Sequence, residues 1–191
     1  MIGMLPALFL DRDGVIIENR ASYVRAWEDV AFFPSALEAL RLAAALPLRI
    51  VIVTNQSAVG RGIISLATAE ELNQRIVHTI ELAGGRIDGV FMCPHAPEEQ
   101  CMCRKPQPGL LLRAAQELSI DLLHSIMIGE SQSDLLAGQA AGINNLIMVK
   151  TGRGIVQARL NTVALHTPYW VVDDLATAIN SMPDFLGQFP E

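Results

Sequence analysis

The chain has 191 residues, a length that fits one domain of ordinary size, and 51% of them are hydrophobic, enough for a sizeable core. Its formal net charge of -6 argues against a broad positive field for nucleic acid or an anionic membrane, yet leaves room for a few placed cations to hold a small anion. No apolar run approaches the roughly 18 residues that span a bilayer. The opening MIGMLPALFL lacks a basic flank and a small-residue cleavage site, so it reads as a buried strand and the protein as cytoplasmic. Three cysteines within one short segment make a poor disulfide framework, which agrees with a reducing compartment.

Short apolar runs alternate with amphipathic stretches, without an internal repeat, low-complexity tract or interdomain linker. This pattern predicts an α/β fold, a Rossmann-like, doubly wound, mostly parallel sheet in a single domain over residues 1–191. The first predicted strand, Leu5–Leu10, runs into Asp11, Arg12, Asp13 and Gly14. The segment Glu18–Phe33 is too short for a full cap domain and leaves a minimal cap. Its Tyr23, Arg25 and Trp27 either line a site or pack the loop onto the sheet. A helix over Ser35–Ala45 follows Pro34, with Ser35 and Glu38 spaced as a capping box. The strand Arg49–Thr54 leads to Asn55. A helix over Thr68–Ala83 has the same spacing in Thr68 and Glu71 and stops at Gly84–Gly85. The strand Val90–Cys93, the helix Leu110–Leu118, the strand Ser125–Ile128 and the helix Asp134–Ala141 follow. The strands Asn145–Val149 and Tyr169–Val172 and the helix Leu175–Ser181 complete the pattern.

In open α/β sheets, ligands bind beyond the carboxyl ends of the strands, where this sequence concentrates its polar residues. Asp11 and Asp13 end a strand at spacing i, i+2 and repel one another unless a cation or proton lies between them. Such an oxygen-rich set suits Mg²⁺, and a carboxylate can also attack phosphorus; taken alone, DxDG equally suits a surface loop closed by an Asx-turn. Thr54 and Asn55 can donate to phosphoryl oxygens or make ordinary turn contacts. Arg104 and Lys105 offer a fork and a point charge for phosphate, or form a solvated basic pair. Glu130 and Asp134 follow another apolar strand, and Ser131 with Asp134 also fits a helix cap. Arg61, in the turn Gly60–Gly62, either holds a second phosphate or sugar hydroxyl or is simply solvated.

All three cysteines fall in CPHAPEEQCMC. Cys93, His95, Cys101 and Cys103 make a closed tetrahedral set for a structural Zn²⁺, in a loop over residues 93–103 that pins the chain just before Arg104 and Lys105. The alternative is a metal-free loop with three reduced thiols. His78, His124 and His166 show no ligand spacing.

Together and in this order, FLDRDGV, VIVTNQS, CRKPQPG and MIGESQSDLLAG resemble the motifs of the haloacid dehalogenase superfamily of phosphohydrolases, over the stretch from Leu8 to Gly152. The resemblance implies Asp11 as nucleophile, Asp13 as general acid/base, and Thr54 and Lys105 as holders of the transferring phosphoryl group. It also implies Mg²⁺ between Asp11, the Asp13 backbone carbonyl, an acidic residue near Glu130 and the phosphate. Glu130 departs from the aspartate usual in that family. It therefore binds the metal directly, binds it through water, or leaves the task to Asp134, and a non-catalytic phosphate binder stays as an alternative. The CxH…CxC loop before RKP narrows the resemblance to the branch holding D-glycero-D-manno-heptose 1,7-bisphosphate phosphatases and histidinol-phosphate phosphatases. TNQSAVGRG and RKPQPGL look more like the heptose enzymes, with Ala58 and Ser131 as departures where glycine and lysine are common. What this implies is a small phosphorylated sugar as substrate, in a pathway that feeds lipopolysaccharide, no nucleic acid or membrane partner, and a monomer or weak dimer.

Overall fold

The computed structural model describes residues 4–160 and 164–182. Its strands are β1 (Leu5–Leu10), β2 (Arg49–Asn55), β3 (Gly89–Cys93), β4 (Ile120–Gly129), β5 (Asn145–Val149) and β6 (Tyr169–Val172). They form one sheet in the order β3-β2-β1-β4-β5-β6, with every pair parallel. The order runs outward in both directions from β1 and β4, so the sheet is doubly wound and its switch point lies where those two strands end.

The strands read as unbroken apolar runs because both faces of the sheet are covered. Leu8, Leu10, Ile50, Ile52, Ile126 and Ile128 face one core. Residues from α1 (Ala36–Ala43), α3 (Leu66–Leu82) and α7 (Leu175–Asn180) close it. Ala7, Phe9, Val51, Val53 and Met127 face the other, closed by α4 (Gly109–Leu118) and α5 (Gln132–Ala140). Two single turns, α2 (Ser57–Gly60) and α6 (Gly154–Gln157), were not evident from periodicity, being too short to show any. Each fully buried Leu, Ile or Phe contributes roughly 1.5–3 kcal/mol, so this sheet is a firm base for polar strand ends. Among the described residues, no helix is long and apolar enough to cross a membrane.

Three local expectations are corrected. Ser35 does not cap α1; its hydroxyl donates to Asp174 Oδ2 at 2.7 Å, and Asp174 in turn caps α7 by accepting from Thr177 N at 2.8 Å. The cap of α3 is Ser65, which accepts from Thr68 N at 3.0 Å, so the helix starts earlier than its Thr68 signal. β4 begins at Ile120, ahead of the expected Ser125. The pairs Leu5–Ile120 and Pro6–Asp121 precede a register shift, which polar and exposed residues at 121–124 conceal in the sequence. At that shift Ala7 N donates to Ser125 Oγ at 2.9 Å.

Candidate active site

Asp11 remains tied to the sheet, since its N–H donates to Ile128 O at 3.0 Å. The chain then turns sharply: Ile16 N and Ile17 N both donate to Arg12 O, and Gly14 N donates to Ile17 O at 2.7 Å. Gly14 has φ +86°, and a side chain there would run into the Glu130 carboxylate, so the turn needs glycine twice over. The result is a cleft of about 750 Å³ lined by Asp11, Asp13, Asn55, Arg61, Arg104, Lys105 and Asp134, with Asn19, Tyr23 and Arg153 on its walls.

At the floor, Lys105 Nζ donates to Asp11 Oδ1 at 2.8 Å and to Val53 O at 2.7 Å, and pairs with Asp134 Oδ1 at 2.7 Å. Burial alone would lower the Lys105 pKa, but Asp11 and Asp134 outweigh it and push it up, so the ammonium is retained. Burial pushes the Asp11 carboxyl up to about 7; Lys105 opposes this, while Asp134 and Asp13 add repulsion. Asn55 clamps the Lys105 peptide from both sides, accepting from Lys105 N and donating to Lys105 O, each at 3.1 Å. Its amide thus positions Lys105, and the residue also lines the cleft. The Lys105–Pro106 peptide is cis.

Thr54 is buried and does not line the cleft; its Oγ1 accepts from Gln56 Nε2 at 2.8 Å, which leaves its own O–H free to donate. The same Gln56 nitrogen donates to Asp13 Oδ2 at 2.9 Å. Asp134 accepts from Ser131 N at 3.0 Å and Ser131 Oγ at 2.7 Å, so its second oxygen caps the start of α5 while its first meets Lys105. The helix-cap and site readings of Asp134 therefore both hold geometrically.

Glu130 is separated from this group. Its carboxylate accepts from Arg153 Nε and Asn19 Nδ2, each at 3.0 Å, and from Arg153 N, and it does not line the cleft. The extra methylene of glutamate carries the carboxylate to the 151–153 turn, where a guanidinium and a backbone N–H receive it. A side chain at Gly152, which has φ +57°, would collide with it.

Four carboxylates, Asp11, Asp13, Glu130 and Asp134, thus gather at one sheet edge. The buried Asn19 Oδ1 beside Glu130 accepts no hydrogen bond. Repulsion at Asp11 that Lys105 does not cancel and a surplus of hard oxygen acceptors fit a divalent cation such as Mg²⁺. Their oxygens are nevertheless spread. Among the described residues, only Cys93, His95, Cys101 and Cys103 bring three or more ligand atoms within 4.8 Å of one another.

That second cluster lies at the end of β3. The sulfur pairs are 3.3–3.5 Å apart, and His95 Nδ1 lies 3.3 Å from Cys103 Sγ and 3.6 Å from Cys93 Sγ. A tetrahedral Zn²⁺ with Zn–S near 2.3 Å spaces its sulfurs by about 3.8 Å, so the four ligands fit that ion. Arg104 reaches back to this loop, donating from Nη1 to His95 O at 3.2 Å. Arg61 lines the cleft but pairs with Glu98 at 3.0 Å on the surface. In the minimal cap, Tyr23 lines the cleft with φ +66°. Trp27 packs on the core with the Arg75 guanidinium 4.4 Å from its ring centre, and Arg25 is exposed outside the cleft wall. Sequence reasoning missed Arg12, Gln56, Asn73 and Arg153. Only Arg12 and Gln56 carried a signal, as neighbours of motif residues.

The HAD-hydrolase-like family model matches residues 102–178. The D-glycero-β-D-manno-heptose-1,7-bisphosphate 7-phosphatase of Helicobacter pylori is 43% identical over 146 residues, covering 75% of this chain and 84% of that one. The protein of the same name from Escherichia coli is 33% identical over 183 residues, 92% and 93% of the two chains. The crystal structure of D,D-heptose 1,7-bisphosphate phosphatase from B. bronchiseptica, complexed with magnesium and phosphate, superposes with a TM-score of 0.88 at 30% identity, over 95% of this chain and 99% of that one. The sheet order, the cleft at its switch point and these similarities converge: the chain belongs to the family of phosphatases that these relatives form, within the haloacid dehalogenase-like hydrolases.

Proposed function

We propose that this chain hydrolyses a phosphomonoester through an aspartyl-phosphate at Asp11, and that its substrate is D-glycero-D-manno-heptose 1,7-bisphosphate, cleaved at the 7-phosphate. The observation that carries the chemistry is the buried Asp11–Lys105–Asp134 arrangement at the cleft floor with Asp13 beside it. The substrate rests on the relatives' names, with the CxH…CxC loop in support. We take residues 1–191 to work as one cytoplasmic domain on the route to lipopolysaccharide heptose.

A carboxylate oxygen of Asp11 attacks phosphorus, and the P–O bond to the sugar breaks. Asp13 gives its proton to the departing oxygen, then takes one from the water that cleaves the aspartyl-phosphate to inorganic phosphate. Lys105 neutralises charge on the phosphoryl oxygens, and the Thr54 hydroxyl, buried below the cleft, holds Gln56 beside Asp13. Mg²⁺, held by the Asp11 carboxylate and the Asp13 backbone carbonyl, would supply further neutralisation of the phosphoryl charge. Zn²⁺, held by Cys93, His95, Cys101 and Cys103, would fix the loop that presents Arg104 and Lys105.

Mg²⁺-dependent phosphate release from the heptose bisphosphate tests this reading, with Asp11→Asn as control. Release by the parent and a loss of at least about 10³-fold in the control are expected. Faster release from histidinol phosphate would overturn the substrate assignment. One observation favours a second reading, a phosphate binder without turnover: Glu130 is engaged by Arg153 and not by the cleft. An inactive parent that Glu130→Asp makes active would establish it.

A further inference from the structure

Among the described residues, the largest fully buried side chain is the arginine between the two motif aspartates. Arg12 is 1% exposed, a costly place for a guanidinium unless each of its directions is used. They are used. Nε donates to Asp13 Oδ2 at 3.0 Å and Nη2 reaches both oxygens, Oδ1 at 3.1 Å and Oδ2 at 2.9 Å, a grip on that carboxylate by two nitrogens. Nη1 donates to Asn73 Oδ1 at 2.7 Å. Asn73 is itself buried on α3, a helix with no chemical motif, and its Nδ2 faces Met92 Sδ at 3.5 Å. Gln56 Nε2 completes the set on Asp13 Oδ2.

Two prongs fix the plane of a carboxylate where one would leave it free to turn. The third nitrogen, held by Asn73, fixes the plane of the fork. Oδ2 receives Arg12 Nε and Gln56 Nε2 and shares Nη2 with Oδ1, so Oδ1 is the less saturated oxygen and keeps a lone pair for a travelling proton; the Asp13 side chain is 24% exposed and lines the cleft. We infer that Arg12 and Asn73 are positioning residues that aim Asp13 Oδ1 at the leaving-group oxygen, extending the catalytic apparatus one layer into α3. The inference rests on the reading of Asp13 as general acid/base. In the step concerned, the proton passes from Asp13 Oδ1 to the ester oxygen as its bond to phosphorus breaks, and Asp13 regains it from the attacking water.

Leaving-group dependence tests this. A sugar ester needs its oxygen protonated on departure; p-nitrophenyl phosphate does not. Asp13→Asn should lose about 10²-fold or more in kcat/KM, which reports the step that forms the aspartyl-phosphate, on the heptose ester and far less on p-nitrophenyl phosphate. Asn73→Ala should lose about tenfold in kcat/KM on the heptose ester and under about twofold in kcat/KM on p-nitrophenyl phosphate. Asn73→Asp, which keeps the acceptor for Nη1, should restore the rate. An equal loss on both substrates, or none, in folded Asn73→Ala while Asp13→Asn keeps its selective loss would overturn the inference. Absence of a selective loss in Asp13→Asn would instead strike the assignment of Asp13. Asn73→Ser and Arg12→Lys, checked by circular dichroism, carry the same comparison should Asn73→Ala fail to fold.

Discussion

The ends of β1 and β3 each carry a cluster of anionic ligands, built on opposite plans. Around β1 every carboxylate meets a protein cation: Asp13 meets Arg12, Asp11 and Asp134 share Lys105, and Glu130 meets Arg153. At the end of β3 three thiols and an imidazole converge with no cation among them. Burial pushes the Cys93 and Cys103 thiols up, while at Cys101 burial is outweighed by hydrogen bonds involving Cys103, Arg104 and Cys93, which lower it to about 7, so an ion bound by all three must displace protons chiefly from Cys93 and Cys103. A set offset in large part by its own side chains, with one carboxylate in excess, tolerates a change of ligand charge, as a reaction on phosphate demands. A converged set of thiols and an imidazole suits one tightly held ion.

Removing metal should separate the two most widely. Stripping Zn²⁺ should lower Tm by about 10 °C or more, because the binding energy of a structural zinc is folding energy. Withdrawing Mg²⁺ should stop turnover with a Tm change under about 3 °C. Scanning calorimetry with graded chelators reads both, and a reversed order would break the contrast.

Glu130→Gln sharpens it within the β1 cluster. Arg153 loses its charged partner but is largely exposed and can turn to water, so the expected loss is about 1–3 kcal/mol in urea unfolding. A neutral result would mean the pair is incidental.

Asp11 should leave a pH signature in metal-free protein. Its folded pKa stands near 7 against 3.8 for the ordinary group. The folded state therefore holds its proton longer, and stability present below the ordinary value is lost as pH rises through 7. Asp11→Asn, with no proton to lose, should gain about 2–3 kcal/mol over the parent at pH 8 relative to pH 5. Thermal melts at both values read this, and an equal difference at the two would refute it. Smallest of all, Arg61→Ala removes a surface pair and should shift stability by under about 0.5 kcal/mol; any larger effect should appear in KM.

Much of this was legible in the sequence because strands buried on both faces announce themselves as apolar runs. β5 and β6 lie at the residues expected, Asn145–Val149 and Tyr169–Val172, and β1 ends where its aspartates begin. The phosphatase class was legible in the order of four short motifs. What stayed hidden depends on partners distant in the chain. Ser35 has the spacing of a cap, yet Asp174 claims its hydroxyl. Glu130 was expected near a metal, but Arg153 and Asn19 compete for it, and no local pattern records that. Arg12 lies inside a motif, but only the fold brings Asn73 to it.

The turn after Asp11 is closed by Thr151, whose hydroxyl donates to Gly14 O at 2.6 Å across 137 residues of sequence. Protein synthesis runs from the amino end, so the nascent chain displays Asp11 and Asp13 long before Thr151 and Arg153 exist. A ribosome that has emitted β1 through α5 presents Asp11 and Asp13 without the segment that locks their turn. Full geometry is therefore withheld until the residues after β5 have been translated, and an unfinished copy exposes its carboxylates to the surrounding solution in an unlatched state.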